Sequence, residues 1–357
     1  MKVGIITVFR SRNCGSFWQA YATQEACRLY YDDAFFLAYR ATIFLSPVLD
    51  YAKYGIHSLL KLKFGEATRT FTSNSYFHHS IRRLFSIKPL SSAENILIGS
   101  DTLWNVKDKY FKKYISYYCG CDIPNGVLFS TFATSVGNSS DRELKEHLPS
   151  FLNLNNAVSL SSRDLATQDF LYEVTGRRSS LVVDPTMLFD KDFYLHAASL
   201  LPGNPPPSKG DFILIYAFRP LSDAEKKSLC LFAKERSLRI VSLGGSAKWC
   251  DANPIICPSA FISLFATANF VVTDTFHGVV FSLNFGKKFM VLANKKNKVA
   301  QLLTTFGVQD VLDDGTGAAI AYSFATKKWD FEILRRIMLK GREESLQYLN
   351  SAFSYKL

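Results

Sequence analysis

The chain changes from a strand to a helix within residues 270–285, which read Phe270-Val-Val-Thr-Asp-Thr-Phe-His-Gly-Val-Val-Phe-Ser-Leu-Asn-Phe285. Three apolar residues open the stretch, and such a run predicts a buried strand of a parallel sheet. Thr275 is a suitable N-cap, and the apolar residues after it have the spacing of a helix that packs on the sheet. His277 therefore falls at a helix start beyond the carboxyl end of a strand, where open α/β sheets bind ligands.

Two interpretations of His277 are open at this point. A helix N-terminus offers N–H groups and the positive end of a dipole to an anion, and a histidine there can carry a proton near neutral pH. Alternatively, His277 merely caps the helix, because a single strand-turn-histidine pattern is weakly specific.

Strand-like and helix-like segments alternate along both halves of the chain, which predicts an α/β fold of two Rossmann-like domains with mainly parallel sheets. The proline-rich residues 201–210 cannot continue a helix or a central strand, so we place a linker there. The predicted domains are 1–201 and 211–325, and residues 326–357 hold a long C-terminal helix. Strands are expected at 3–8, 34–39, 96–98, 127–132, 156–160, 212–217, 238–243, 270–272 and 289–292.

Composition indicates a globular protein with an anionic partner. The chain has 357 residues, 48% hydrophobic and 20% charged, and a formal net charge of +11. Such a charge suits phosphate-bearing substrates or an anionic membrane face, and without a nucleic-acid-binding motif we expect no nucleic acid partner. The pattern of residues 41–94 predicts a basic amphipathic helical insertion. Its segment 51–64 is either part of an ordinary surface helix pair or an amphipathic segment that lies on a membrane.

The cysteines and histidines do not form a metal-binding pattern. Seven cysteines lack zinc or redox spacing, which favours free thiols in a reducing compartment. The six histidines are scattered apart from His78-His79, and we therefore expect no metal. The N-terminus lacks the features of a signal peptide, and no apolar run approaches the ~20 residues of a membrane span. We expect a cytoplasmic protein, with peripheral contact at the inner membrane face as an open alternative.

Several short motifs occur in an order that resembles the polysaccharide pyruvyl transferase family. Thr-Asp-Thr-Phe-His-Gly-Val-Val-Phe-Ser at 273–282 is similar to the family's T-D-S-F-H-G-x-x-F-S. Gly-Ser-Asp-Thr-Leu-Trp-Asn at 99–105 stands where the family has G-S-D-Q-V-W-N, so one expected polar contact is missing. The other matching stretches are 13–22, 133–137, 161–164 and 184–188.

The resemblance implies transfer of the enolpyruvyl unit of phosphoenolpyruvate onto sugar hydroxyls as a ketal. It also implies a GT-B-like arrangement, in which two Rossmann-like domains face a central cleft and the C-terminal helix returns to the first domain. No cofactor is implied beyond phosphoenolpyruvate as co-substrate. The acceptor is a saccharide, and a lipid-linked saccharide is one candidate.

Within this interpretation His277 is the catalytic acid and a candidate base. The residues expected to bind the anionic donor are Arg163, Arg219, Thr275, Phe276, Gly278 and Lys298, although the family often has Arg at the position of Lys298. The residues expected to bind the acceptor are Asn13, Gln19, Asp101, Trp104 and Asn105.

Several of these side chains also have a structural interpretation. Arg163 could form a salt bridge with a nearby acid instead of binding the donor. Trp104 could pack under its loop with its N–H bonded locally, Asn13 could only make the turn, and Gln19 could only cap the helix.

Two other function classes are compatible with this architecture. One is a nucleotide-sugar-dependent glycosyltransferase, which needs a carboxylate for the ribose hydroxyls, and Asp251 is a poor candidate for that role. The other is a non-catalytic binding protein of the same fold.

Overall fold

A computed structural model describes residues 1–37, 64–203, 211–244, 247–292 and 297–354. Most of the predicted 51–64 segment and residues 204–210 of the predicted linker lie outside these ranges. The described residues form two compact units, which we call unit 1 (1–37, 84–189 and 338–354) and unit 2 (64–83 and 190–337).

The strands are β1 (Lys2–Ile6), β2 (Asp33–Leu37), β3 (Ile87–Lys88), β4 (Asn95–Ile98), β5 (Leu128–Thr131), β6 (Ser161–Ser162), β7 (Ser180–Leu181), β8 (Phe212–Tyr216), β9 (Arg239–Ser242), β10 (Phe270–Thr273) and β11 (Lys288–Val291).

The helices are α1 (Cys14–Arg28), α2 (Phe64–Leu84), α3 (Lys109–Lys113), α4 (Ile115–Tyr118), α5 (Asp141–Lys145), α6 (Leu148–Phe151), α7 (Leu165–Thr175), α8 (Lys191–Ser199), α9 (Asp223–Glu235), α10 (Pro258–Thr267), α11 (Phe276–Asn284), α12 (Asn297–Thr305), α13 (Ala319–Ala321) and α14 (Phe331–Asn350). None of these helices is both long enough and apolar enough to cross a membrane.

Unit 1 contains a parallel sheet with the strand order β3-β2-β1-β4-β5, and β6 pairs in parallel with β7. The inner strands are almost wholly apolar because helices cover both faces of such a sheet. Its order reverses between β1 and β4, and this switch point is where the Rossmann fold binds ligands.

Unit 2 contains a parallel sheet with the strand order β11-β10-β8-β9. Its order reverses between β8 and β10, which are in register from Phe270 opposite Ile213 to Thr273 opposite Tyr216. The carboxyl ends of these two strands therefore lie side by side at the switch point of unit 2. Two Rossmann-like units with parallel sheets and a long C-terminal helix confirm the predicted fold class.

The unit boundaries differ from those expected from the sequence. The chain passes from unit 1 to unit 2 after Phe189, ahead of the predicted linker, and α8 belongs to unit 2. There Tyr194 packs edge-on against Phe281, with ring centroids 5.1 Å apart. Most of α2 also belongs to unit 2, because Arg69 donates to the carbonyl of Asn253 at 2.5 Å. Long-range contacts of this kind leave no local signal in the sequence.

The contacts of α14 divide that helix between the units. Residues 331–337 belong to unit 2, and residues from 338 onward belong to unit 1. In unit 1, Ser345 Oγ accepts the N–H of Val183 at 2.9 Å, and the Tyr348 hydroxyl donates to the carbonyl of Thr131 at 2.7 Å.

Candidate functional site

The turn between β10 and α11 is held by threonine hydroxyls. Thr275 is the N-cap that the sequence predicts, and its side chain accepts the N–H of Gly278 at 2.9 Å. Thr273 Oγ1 donates to the carbonyl of Tyr216 at 2.6 Å, which links this turn to the end of β8. A Cβ on residue 278 would lie 2.0 Å from Thr273 Oγ1, so only glycine fits between these hydroxyls. The start of α11 is consequently fixed to the sheet.

Asp274 joins the two loops at the switch point of unit 2. Its carboxylate is buried and accepts the backbone N–H groups of Phe218 at 2.9 Å and Arg219 at 3.1 Å. Because Asp274 directly precedes the N-cap of α11, this pair of bonds fixes the loop after β8 against the start of that helix.

Three predicted site residues lie together at the first turn of α11. The rings of Phe276 and His277 meet edge to face, with centroids 5.5 Å apart. Lys298 of α12 places its Nζ 5.9 Å from the centroid of Phe276. All three residues are half-buried. A cation, an imidazole and the positive end of a helix dipole thus converge on one small region, which favours an anionic ligand.

Arg219 is engaged within unit 2, which argues against the predicted donor-binding role. Its two terminal nitrogens donate to the two carboxylate oxygens of Glu225, at 2.9 and 2.5 Å. This hydrogen bonding to Glu225 raises the pKa of Arg219. Both terminal nitrogens of this guanidinium thus already bind a carboxylate, and donor binding by Arg219 stays a prediction.

The switch point of unit 1 holds a buried hydrogen-bond network. Gln19 is fully buried, donates to Thr7 Oγ1 at 3.1 Å and accepts from Ser100 Oγ. Asp101 has a positive φ of 86°, and its Oδ2 accepts from Ser16 Oγ at 2.9 Å. The amide of Gln19 is thus engaged inside the unit, and its acceptor-binding role stays a prediction.

Asn13, Trp104 and Asn105 also have bonds within unit 1. Asn13 Oδ1 caps α1 by accepting the N–H of Gly15 at 2.8 Å, as in the alternative interpretation. Trp104 is fully buried and its Nε1 donates to the carbonyl of Tyr118 at 2.9 Å, as in its alternative interpretation. Asn105 is half-buried and its Oδ1 accepts from Ser139 Oγ at 3.1 Å.

Arg163 forms a buried salt bridge, as in the alternative to donor binding given above. Its side chain is only 2% exposed, and it pairs with Asp184 and, at 3.4 Å, with Asp101. Burial alone would lower the pKa of Arg163, but the carboxylates of Asp184, Asp101 and Asp164 outweigh burial, and the pKa is raised. A guanidinium held in this way links three segments of unit 1, and its contact with the donor stays a prediction.

Sequence reasoning missed Asp274, Phe218 and Glu225 as residues that shape the site. Asp274 lies inside the 273–282 motif, and this position was the only feature of the sequence that could have indicated its role. Across the described ranges, no group of three or more His, Cys, Asp and Glu side chains is arranged to hold a metal ion.

Two solved structures define the fold class. One is UDP-GlcNAc 2-epimerase from Neisseria meningitidis bound to UDP-GlcNAc. It is 10% identical with a TM-score of 0.51, and the superposition covers 99% of this chain and 97% of the epimerase chain. The other is the Methanocaldococcus jannaschii UDP-GlcNAc 2-epimerase in complex with UDP-GlcNAc and UDP. It is 12% identical with a TM-score of 0.50, and the superposition covers 95% of this chain and 99% of the epimerase chain. At these identities the likeness concerns the fold alone, and the chain is a GT-B-like protein.

The particular family follows from the sequence. The model of the family described as polysaccharide pyruvyl transferase matches residues 13–296, and the chain belongs to this family. A comparison with curated proteins found no match. Membership supports a transferase that acts in polysaccharide pyruvylation.

Proposed function

We propose that the protein transfers the enolpyruvyl unit of phosphoenolpyruvate to two hydroxyls of one saccharide as a ketal and releases phosphate. The observation that carries the proposal is the position of His277, in the first turn of α11 at the switch point of unit 2 and in the same cluster as Lys298. Family membership supports the reaction class.

The donor would bind through its two anionic groups. Phosphoenolpyruvate carries a carboxylate and a phosphate, and the first-turn N–H groups of α11 suit such oxygens. The ammonium of Lys298 would add a positive charge beside them. Thr275 and Gly278 would act by fixing the backbone of this turn, and Phe276 by packing between His277 and Lys298.

The reaction needs a proton on the methylene carbon of the donor. His277 would supply it, and an anionic donor beside the imidazole favours the protonated form that can do so. The cationic carbon C2 then accepts one sugar hydroxyl, which loses its proton to the deprotonated imidazole or to solvent. Phosphate leaves with the C–O bonding pair, and a second hydroxyl of the same sugar closes the ketal with loss of its proton.

The proposed acceptor is a saccharide of cell-surface polysaccharide or glycan synthesis. A lipid-linked acceptor, and with it a peripheral position at the inner membrane face, would suit the net charge of +11.

The reaction is tested by incubating the protein with phosphoenolpyruvate and saccharides. Phosphate release that depends on the acceptor, together with an NMR spectrum of the product that shows a quaternary ketal carbon, would support the proposal. Release of phosphate without a saccharide product would contradict it.

Phosphoenolpyruvate is expected to raise the melting temperature. A ligand at 100 times its Kd stabilises the native state by about 2.7 kcal/mol, which corresponds to several degrees for units of this size. We expect Lys298→Met to lose most of this shift and Lys328→Met, at an exposed lysine, to keep it. Stabilisation by UDP-GlcNAc in place of phosphoenolpyruvate would instead favour the nucleotide-sugar glycosyltransferase.

Activity is expected to survive a metal chelator, because the proposed charge stabilisation comes from Lys298 and the start of α11. Turnover should be equal in buffer with EDTA and in buffer with added Mg²⁺ or Mn²⁺. Loss of turnover in EDTA that a divalent ion restores would refute this part of the mechanism.

A further inference from the structure

Phe218 is an exposed aromatic side chain at the candidate site that the mechanism above does not use. It lies in the loop directly after β8, and 56% of its surface is exposed. Single exposed apolar residues are common on protein surfaces and need no explanation by themselves. The position and the fixation of Phe218 distinguish it from such residues.

The backbone of Phe218 is bonded to the turn that directly precedes the helix of His277. Its N–H donates to the buried carboxylate of Asp274 at 2.9 Å, and the next N–H, of Arg219, donates to the second oxygen of the same carboxylate. The ring meets that of Tyr216 edge to face, with centroids 5.5 Å apart. The loop therefore presents the Phe218 ring from a fixed backbone. That backbone is bonded to Asp274, which precedes His277 by three residues.

The other exposed aromatic side chains of the described residues lie elsewhere in the fold. They are on helices or at helix ends, and comprise Tyr30, Phe71, Tyr110, Tyr172 and Tyr322. Phe218 instead follows the carboxyl end of a strand at the switch point of unit 2, where ligands of open α/β sheets bind.

We propose that Phe218 is the platform on which the ring of the acceptor saccharide stacks. This inference rests on the proposed function. A pyranose has a face of C–H groups that can cover an aromatic ring and remove apolar surface from water. Phosphoenolpyruvate is small, carries a carboxylate and a phosphate, and has no such face. The acceptor hydroxyls must reach the donor carbon beside His277, and the Asp274 bonds fix the backbone of Phe218 to the turn just before the helix that carries His277.

The platform replaces the one that the sequence suggested. Trp104 was expected to hold the sugar, but its ring is fully buried and its N–H is bonded to Tyr118. Phe218 supplies an accessible ring in unit 2, on the loop joined to the catalytic helix.

The test compares Phe218→Ala with Phe218→Trp, using as acceptor whichever of the methyl pyranosides of glucose, galactose, mannose and N-acetylmannosamine the wild type pyruvylates. Loss of the ring is expected to raise the KM for the acceptor about tenfold. A change of this size corresponds to the loss of a few tens of Å² of apolar contact between the ring and the sugar. The KM for phosphoenolpyruvate and the kcat at saturating acceptor should stay unchanged. Phe218→Trp should keep the acceptor KM near or below that of the wild type.

The matched control is Phe71→Ala, which removes a phenylalanine ring that is 54% exposed on α2. It should leave the acceptor KM unchanged. A Phe218→Ala variant that is active with an unchanged acceptor KM overturns this inference alone. A wild type that pyruvylates none of the pyranosides and no lipid-linked oligosaccharide overturns the proposed function and the inference with it.

Discussion

His277→Gln is expected to lower turnover by about 10²–10⁴-fold, the usual size of a proton-transfer contribution. Glutamine keeps a polar side chain at the first turn of α11 but has no proton that it can give to the donor carbon. The fold should persist because the cap of α11 is Thr275 and not His277. Steady-state turnover with a saccharide acceptor measures the loss, and the thermal shift with phosphoenolpyruvate should be largely retained.

His79→Gln is the control, because His79 is exposed on α2 and has no role in the proposed reaction. It should turn over like the wild type. Near-wild-type turnover of His277→Gln would show that His277 has only a structural role, and the proton-transfer step would have to be assigned to another group.

Arg163→Met is expected to destabilise the protein by about 3–5 kcal/mol, because it leaves the buried carboxylates of Asp184 and Asp101 without their cation. Chemical denaturation with urea measures this change in the free energy of unfolding of unit 1.

Arg28→Met is the matched control. Arg28 pairs with Glu25 at 2.6 Å, but its side chain is 37% exposed, and surface pairs contribute only about 0–1 kcal/mol. Equal effects of the two substitutions would contradict the structural role of Arg163. An Arg163→Met protein that folds as stably as the wild type but no longer binds phosphoenolpyruvate would support the donor-binding role.

Much of the fold could be predicted from the sequence, because inner strands of a parallel sheet are buried on both faces. Phe212–Tyr216 and Phe270–Thr273 are therefore apolar along nearly their whole length, and the helix signals between them are strong. The boundary between the units was harder to predict from the sequence. The packing of Tyr194 on Phe281 and the bond of Arg69 to Asn253 join residues that are distant along the chain.

The sequence motifs predicted which backbone segments meet at the switch points, but not which side chains are exposed there. Trp104 and Arg163 both follow the ends of strands, yet one packs into the core and the other pairs with two carboxylates. Phe218 follows a strand in the same way and is exposed. Residue type does not separate these cases, because exposure depends on neighbours that come from other parts of the chain.

The way in which α14 completes unit 1 fixes an order of events during synthesis. The Tyr348 hydroxyl bonds to the carbonyl of Thr131 across 217 positions of sequence, and Ser159 Oγ bonds to the carbonyl of Ala352 across 193. All of residues 190–337 must leave the ribosome between these partners. The β5 side of unit 1 therefore cannot make these contacts until unit 2 has been synthesised, and the unit that begins first is the one that is finished last.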